Sequence, residues 1–246
     1  MTRMTPASTF SETAASGEVG QNAIHAVDLW RIYRQGTHQE VQALRGVNLD
    51  VPAGRYLALK GRSGSGKTTL LNCIGGLDRP TRGTVQVFGI ELETLSDKEL
   101  TRFYRENVAF IFQAFGLSPI YTALENVEIV MQIAGKPRRA RRERAEYCLE
   151  RVGLTKWKNH RIYELSGGQQ QRIAIARALA NEPRLILADE PTGKLDTATA
   201  REIFTLFREI VAEDGVTVLM AAHDPLVDEY ADEVLLLHDG QIARGG

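Results

Sequence analysis

No apolar run in this 246-residue chain approaches the length of a bilayer span, which takes about 20 residues. Nothing in it therefore reads as a membrane anchor. Cysteine is nearly absent. Cys73 and Cys148 are the only two, and their spacing matches neither a disulfide framework nor a thiolate metal site. They read as free thiols in a reducing compartment. Charge of one sign is also missing: the formal net charge is -1, so no global field attracts nucleic acid. Met1 to Gly20 lacks a hydrophobic block. With its Ser, Thr, Ala, Gly and Glu content it reads as part of a disordered extension over residues 1–22, not as a signal peptide.

What is present is organised around phosphate chemistry. Gly61-Arg62-Ser63-Gly64-Ser65-Gly66-Lys67-Thr68 fits the G-x-x-x-x-G-K-[ST] phosphate loop. An apolar run, Tyr56 to Leu59, precedes it and predicts a buried strand. Leu70, Leu71 and Ile74 follow at helical spacing. Glycines let backbone N–H groups converge on phosphate oxygens, and the helix N-terminus adds positive potential. Lys67 can reach the terminal phosphates, the Thr68 hydroxyl can ligate Mg²⁺, and Thr69 continues the loop. Downstream, Arg184 to Ala188 predicts another buried strand, which ends in Asp189 and Glu190. A carboxylate delivered there suits Mg²⁺, which prefers oxygen ligands. Gln113 and His223 each end a further apolar run. Alone, either would be read as structural.

Leu165-Ser166-Gly167-Gly168-Gln169 decides between these readings. Such a string arises by chance in about one chain in a few thousand of this length. With the phosphate loop, it resembles the signature of the ATP-binding cassette (ABC) ATPases. The resemblance spans about Ala23 to Ala243 and implies a RecA-like α/β core with an antiparallel β subdomain and an inserted helical subdomain. Residues 23–246 would form that nucleotide-binding domain, with the helical part at about 114–181.

The resemblance also implies roles. Glu190 would be the catalytic base, Asp189 a Mg²⁺ ligand, and Gln113 the Q-loop residue that senses Mg²⁺ and water. His223 would be the switch histidine. Tyr33 would stack on adenine, with Trp30 and Tyr56 as nearby alternatives. Ser166, Gly167, Gly168 and Gln169 would complete the site on the opposite subunit of an ATP-bound homodimer. Phe115 and Leu117, with Tyr121 nearby, would dock a membrane subunit. Pro191 to Asp196 resembles the D-loop, with Lys194 where Asn is usual, and Ile162 stands where Pro usually precedes the signature.

Gly75 to Asp78, Gln113 to Leu117, Thr122 to Val127 and Gly167 to Arg172 resemble the lipoprotein-release and macrolide-export ATPases. That implies an ATP- and Mg²⁺-dependent subunit at the cytoplasmic face of the inner membrane, working with two copies of a permease that has an extracytoplasmic domain. A non-transport role with a membrane partner in cell division or envelope remodelling is the alternative. Nucleic acid is not an expected partner. Repair ATPases of this class insert a coiled coil and translation types carry two cassettes, and neither pattern occurs here. The basic run Lys136 to Arg144 has no interleaved aromatic, so it is expected to be a solvated helix face.

Overall fold

Four apolar segments make the centre of the molecule: three are buried on both faces, the condition that favours parallel pairing, and the fourth, β6, is the half-buried edge strand. They are β3 (Tyr56–Lys60), β6 (Val108–Ile111), β7 (Leu185–Asp189) and β8 (Thr217–Ala222). The coordinates, a computed structural model, describe residues 22–243. The expected N-terminal extension lies outside the described residues except for Asn22.

Before the first central strand come β1 (Asn22–Tyr33) and β2 (Val41–Pro52); after it come α1 (Lys67–Ile74), β4 (Arg82–Val87), β5 (Ile90–Glu91) and α2 (Asp97–Asn107). A helical block follows β6: α3 (Ala123–Ile133), α4 (Arg138–Arg151) and α5 (Gly167–Leu179). The chain then returns through β7, α6 (Thr197–Asp214) and β8 to the hairpin of β9 (Glu233–His238) and β10 (Gln241–Ala243). The larger sheet runs β10-β9-β3-β8-β7-β6, with all its pairs parallel except the β9–β10 hairpin. The smaller sheet, β2-β1-β4-β5, is antiparallel.

Strand alternation divides the apolar interior in two. Tyr56, Ala58, Ile186, Ala188, Val218 and Met220 face the side where α6 and the helical block pack. Their neighbours Leu57, Leu59, Leu185, Leu187, Leu219 and Ala221 face α1 and the smaller sheet. The period-2 pattern of each strand thus serves two cores at once. Both cysteines are buried and unbridged. Burial pushes the Cys73 thiol up to about 12 and the Cys148 thiol up to about 11.

Several local features follow from residue chemistry. Ser96 caps α2 in a capping box with Glu99. Ile203, Phe204, Phe207, Ile210 and Val211 form the buried stripe of α6. Asp239 and Gly240 turn the final hairpin with φ of 46° and 76°, the positive values its tight turn requires. The basic run opens α4, where Arg139 and Arg142 pair with Glu143 and Glu146 at i,i+4. This is the solvated pattern.

The N-terminal strands β1 and β2 are long, at 12 residues each. One expectation needs correction, the helical reading from about residue 114. Residues 114–122 form a loop, with Phe115 and Gly116 both left-handed at φ 57° and 61°. The Arg177 guanidinium on α5 donates to the carbonyls of both, so this backbone finds its partner in a side chain instead of a helix.

Phe207 is fully buried, with its ring 6.2 Å from that of Tyr56. Phe207→Ala should lower unfolding stability by about 3–5 kcal/mol, whereas Ser96→Ala at the exposed α2 cap should cost about 1 kcal/mol. Urea denaturation of the two variants checks this order; equal losses would mean that the α6 face is not the core seam.

Candidate nucleotide site

The parallel strands end level with one another. Lys60 pairs with Ala222, Asp189 with Ala221, and Ile111 with Ala188. The residues just past these ends therefore meet on one edge of the sheet, where ligands of open α/β sheets bind.

From β3 the chain enters the glycine loop. A Cβ on Gly61 would lie 2.2 Å from the Leu237 carbonyl oxygen, and one on Gly66, at φ 106°, would lie 2.5 Å from that of Ala43. The loop is thus held against neighbouring backbone at both ends, while nothing lies within 4 Å of a Cβ built on Gly64. Ser63, Gly64, Gly66, Lys67, Thr68 and Thr69 line a cavity of about 440 Å³, closed on other sides by Val41 to Ala43 and by Asp239 and Gly240. Ser65 is buried, its hydroxyl without a partner.

Lys67 is only 5% exposed. Its Nζ donates to the carbonyls of Gly61 at 2.9 Å and Arg62 at 3.2 Å and lies 3.6 Å from the Glu190 carboxylate. A buried ammonium at the start of α1, beside an open glycine backbone, fits a phosphate-bearing ligand.

The two carboxylates at the end of β7 are separated by function of geometry. Asp189 accepts the Thr68 hydroxyl at 2.9 Å and 3.1 Å on its two oxygens. Burial raises the Asp189 pKa; the Thr68 hydrogen bond opposes this, and the Glu190 charge adds to it. A hydroxyl and a carboxylate converging in this way are a hard-oxygen pair suited to Mg²⁺. Glu190 instead has its carboxylate held at both oxygens: Oε1 lies 2.5 Å from His223 Nε2, and Oε2 accepts Gln113 Nε2 at 3.3 Å. Its backbone is left-handed, with φ of 48°. The Glu190 N–H donates to Ala221 and its carbonyl accepts from Gly193, so the surrounding chain fixes this sparsely populated conformation. Gln113 is thus placed against Glu190, with no hydrogen bond to the Thr68–Asp189 pair among the described residues.

Not every expected residue converges here. Tyr33, at the end of β1, is not among the residues that line the cavity; its hydroxyl donates to Asp78 at 2.6 Å. Ser166, Gly167, Gly168 and Gln169 open α5 and do not line the cavity. Ser166 caps α5: its Oγ accepts the Gln169 N–H at 3.3 Å, and its N–H donates to Gln169 Oε1 at 2.9 Å. Lys194 is exposed and has no ion pair among the described residues. Leu117 is partly buried against the core; the exposed apolar side chains near it in sequence are Phe112, at 41%, and Ile120, at 68%.

Sequence reasoning missed three features. The Ser166 cap was readable, because S-x-x-Q before an apolar run is a capping-box pattern. The cavity wall at Val41 to Arg45 carries no motif. Asp78, which pairs with Arg31 and Tyr33, carries no signal of its own beyond its place in Gly75 to Asp78.

Comparison with known proteins places this arrangement. Residues 44–193 match the ABC transporter family. The lipoprotein-releasing system ATP-binding protein LolD of Anaeromyxobacter dehalogenans is 50% identical over 204 residues, 82% of this chain and 85% of that one. The macrolide export ATP-binding/permease protein MacB of Rhodopirellula baltica is 46% identical over 223 residues, 90% of this chain but 32% of that longer protein. The solved dimeric post-hydrolysis state of the ATP-binding cassette MJ0796, bound to ADP and Pi, superposes with a TM-score of 0.82 at 42% identity, covering 90% of this chain and 97% of that one. The chain belongs to the ABC transporter family and is one of its ATP-hydrolysing, ATP-binding cassettes.

Proposed function

We propose that this chain is the ATPase subunit of a membrane transporter of the lipoprotein-release and macrolide-export type. It would work as an ATP-bound homodimer on two copies of a permease with an extracytoplasmic domain, peripherally at the cytoplasmic face of the inner membrane. The observation that carries the dimer is the separation of the two nucleotide-binding motifs. The phosphate loop lines the cavity, whereas Ser166, Gly167, Gly168 and Gln169 lie elsewhere on the same chain. A second copy would bring its signature to this cavity and receive the same in return. The LolD- and MacB-like relatives support the transporter type.

In this reading ATP is the substrate. Ser63 to Thr69 cradle its phosphates through backbone N–H groups, and Tyr33 stacks on its adenine. Thr68 and Asp189 would hold Mg²⁺, which offsets phosphate charge when bound. Glu190 polarises the attacking water. His223 and Gln113 orient its carboxylate, while Lys67 lies on the side where charge develops on the transferring group. Closure between copies would complete the site, and hydrolysis would release it. The membrane partner is then moved by an open–closed cycle. Phe112 and Ile120, apolar yet exposed beside the loop that follows β6, are the candidate contact with the permease.

Glu190→Gln keeps the shape of the side chain and removes the base. Turnover should fall about 10²–10⁴-fold with ATP binding retained, and the variant should elute as a dimer with ATP. ATPase assay with size-exclusion chromatography checks both. Near-normal turnover would remove Glu190 from this role.

Ile120→Asp should reduce recovery of the chain with its co-expressed permease severalfold. ATPase activity of the isolated subunit should stay unchanged, because the side chain is 68% exposed. Undiminished recovery would place the permease contact on another face.

A further inference from the structure

The ring expected to meet adenine is built into a network that no phosphate-binding motif predicts. Arg31 and Tyr33 lie two residues apart near the end of β1. Both converge on Asp78, in the turn after α1. The Arg31 guanidinium engages the carboxylate through two nitrogens, Nε at 2.9 Å from one oxygen and its terminal nitrogen at 2.7 Å from the other. The Tyr33 hydroxyl donates to the same carboxylate at 2.6 Å. The guanidinium carbon also lies 4.4 Å from the centroid of the Tyr33 ring, over its face. Arg31 is thus bidentate on Asp78 and stacked on Tyr33 at once.

The segment around Asp78 is tied to β1 at further points. The Ile32 N–H donates to Thr81 Oγ1, and the Thr81 N–H donates to the Trp30 carbonyl. The Asp78 N–H donates to the Asn72 carbonyl of α1. The ring is therefore referenced to the C-terminal end of the helix whose N-terminus cradles phosphate.

We propose that Arg31 and Asp78 are positioning residues for Tyr33: they cover one ring face and anchor the hydroxyl, so that only the opposite face is presented to the adenine of ATP. The inference rests on the adenine-stacking reading of Tyr33. Two effects follow. The ring is held in place before the nucleotide arrives, which reduces the ordering cost of binding. The cation also draws on the ring's π density from behind, which favours offset stacking with an electron-rich base on the free face. Neither effect touches the phosphates, so the clamp should act on the base-bearing part of the ligand alone.

Isothermal titration with ADP and with pyrophosphate, both with Mg²⁺, separates these contributions. Tyr33→Ala should weaken ADP about tenfold, and Arg31→Met about three- to fivefold. Asp78→Asn should behave like Arg31→Met, and Arg31→Lys should recover part of the loss. Pyrophosphate affinity should stay within about twofold of wild type throughout, because the glycine loop is untouched. Adding Arg31→Met to Tyr33→Ala should cost nothing more, since the clamp has no ring left to position.

ADP binding unaffected by Arg31→Met, or losses that add fully in the double variant, would overturn the clamp while leaving Tyr33 as the stacking residue. Equal weakening of pyrophosphate would also overturn it, by showing general damage to the loop. Normal ADP binding by Tyr33→Ala would instead remove the stacking reading, and the clamp with it.

Discussion

A lysine ammonium buried to 5% exposure is the constraint on which the site is built. An unpaired charge there would cost several kcal/mol. Lys67 is compensated by two loop carbonyls and by the nearby Glu190 carboxylate. The carbonyls require the loop to curl back over its own lysine, which the glycines allow. The carboxylate requires β7 to end beside β3's loop, with β8 between the two strands. His223, just past β8, and Gln113, just past β6, then bind the two oxygens of Glu190. One buried charge thus draws on four parallel strand ends, and the strand order of the sheet brings together the groups proposed to handle phosphate.

The central strands and the site at their ends were legible because the signals are local. Continuous apolar runs predicted β3 and β7 within a residue or two. The residues proposed to carry the chemistry follow them, since a parallel sheet leaves its ligand edge at the strand ends. Capping and turn chemistry were readable at Ser96 and Asp239 for the same reason. The loop at 114–122 was not, because its left-handed residues depend on Arg177, remote in sequence. The lengths of β1 and β2 were obscured because register shifts interrupt the pairing of β1, breaking the alternation that marks a long strand. Asp78 had no signal of its own: only the fold brings it to Arg31 and Tyr33.

The geometry also assigns different work to adjacent residues. Asp189 and Glu190 are neighbours in sequence, yet one is bonded to Thr68 and the other to His223 and Gln113. The left-handed turn at Glu190 is what points the two carboxylates to different partners. The phosphate loop and the signature are likewise separated: each is locally well formed, the signature through its own helix cap, and they do not meet within one copy. That separation is the ground on which closure between copies is proposed to complete the catalytic arrangement.

Complementation in mixed dimers tests this most directly. Lys67→Ala removes the phosphate-loop lysine and leaves the signature intact. Ser166→Arg blocks the signature and leaves the phosphate loop intact. Each variant alone should be inactive. Mixed in equal amounts, they should recover ATPase activity, because a heterodimer pairs the intact loop of one copy with the intact signature of the other. Failure to recover, with both variants folded and heterodimers formed, would contradict a site shared between two copies.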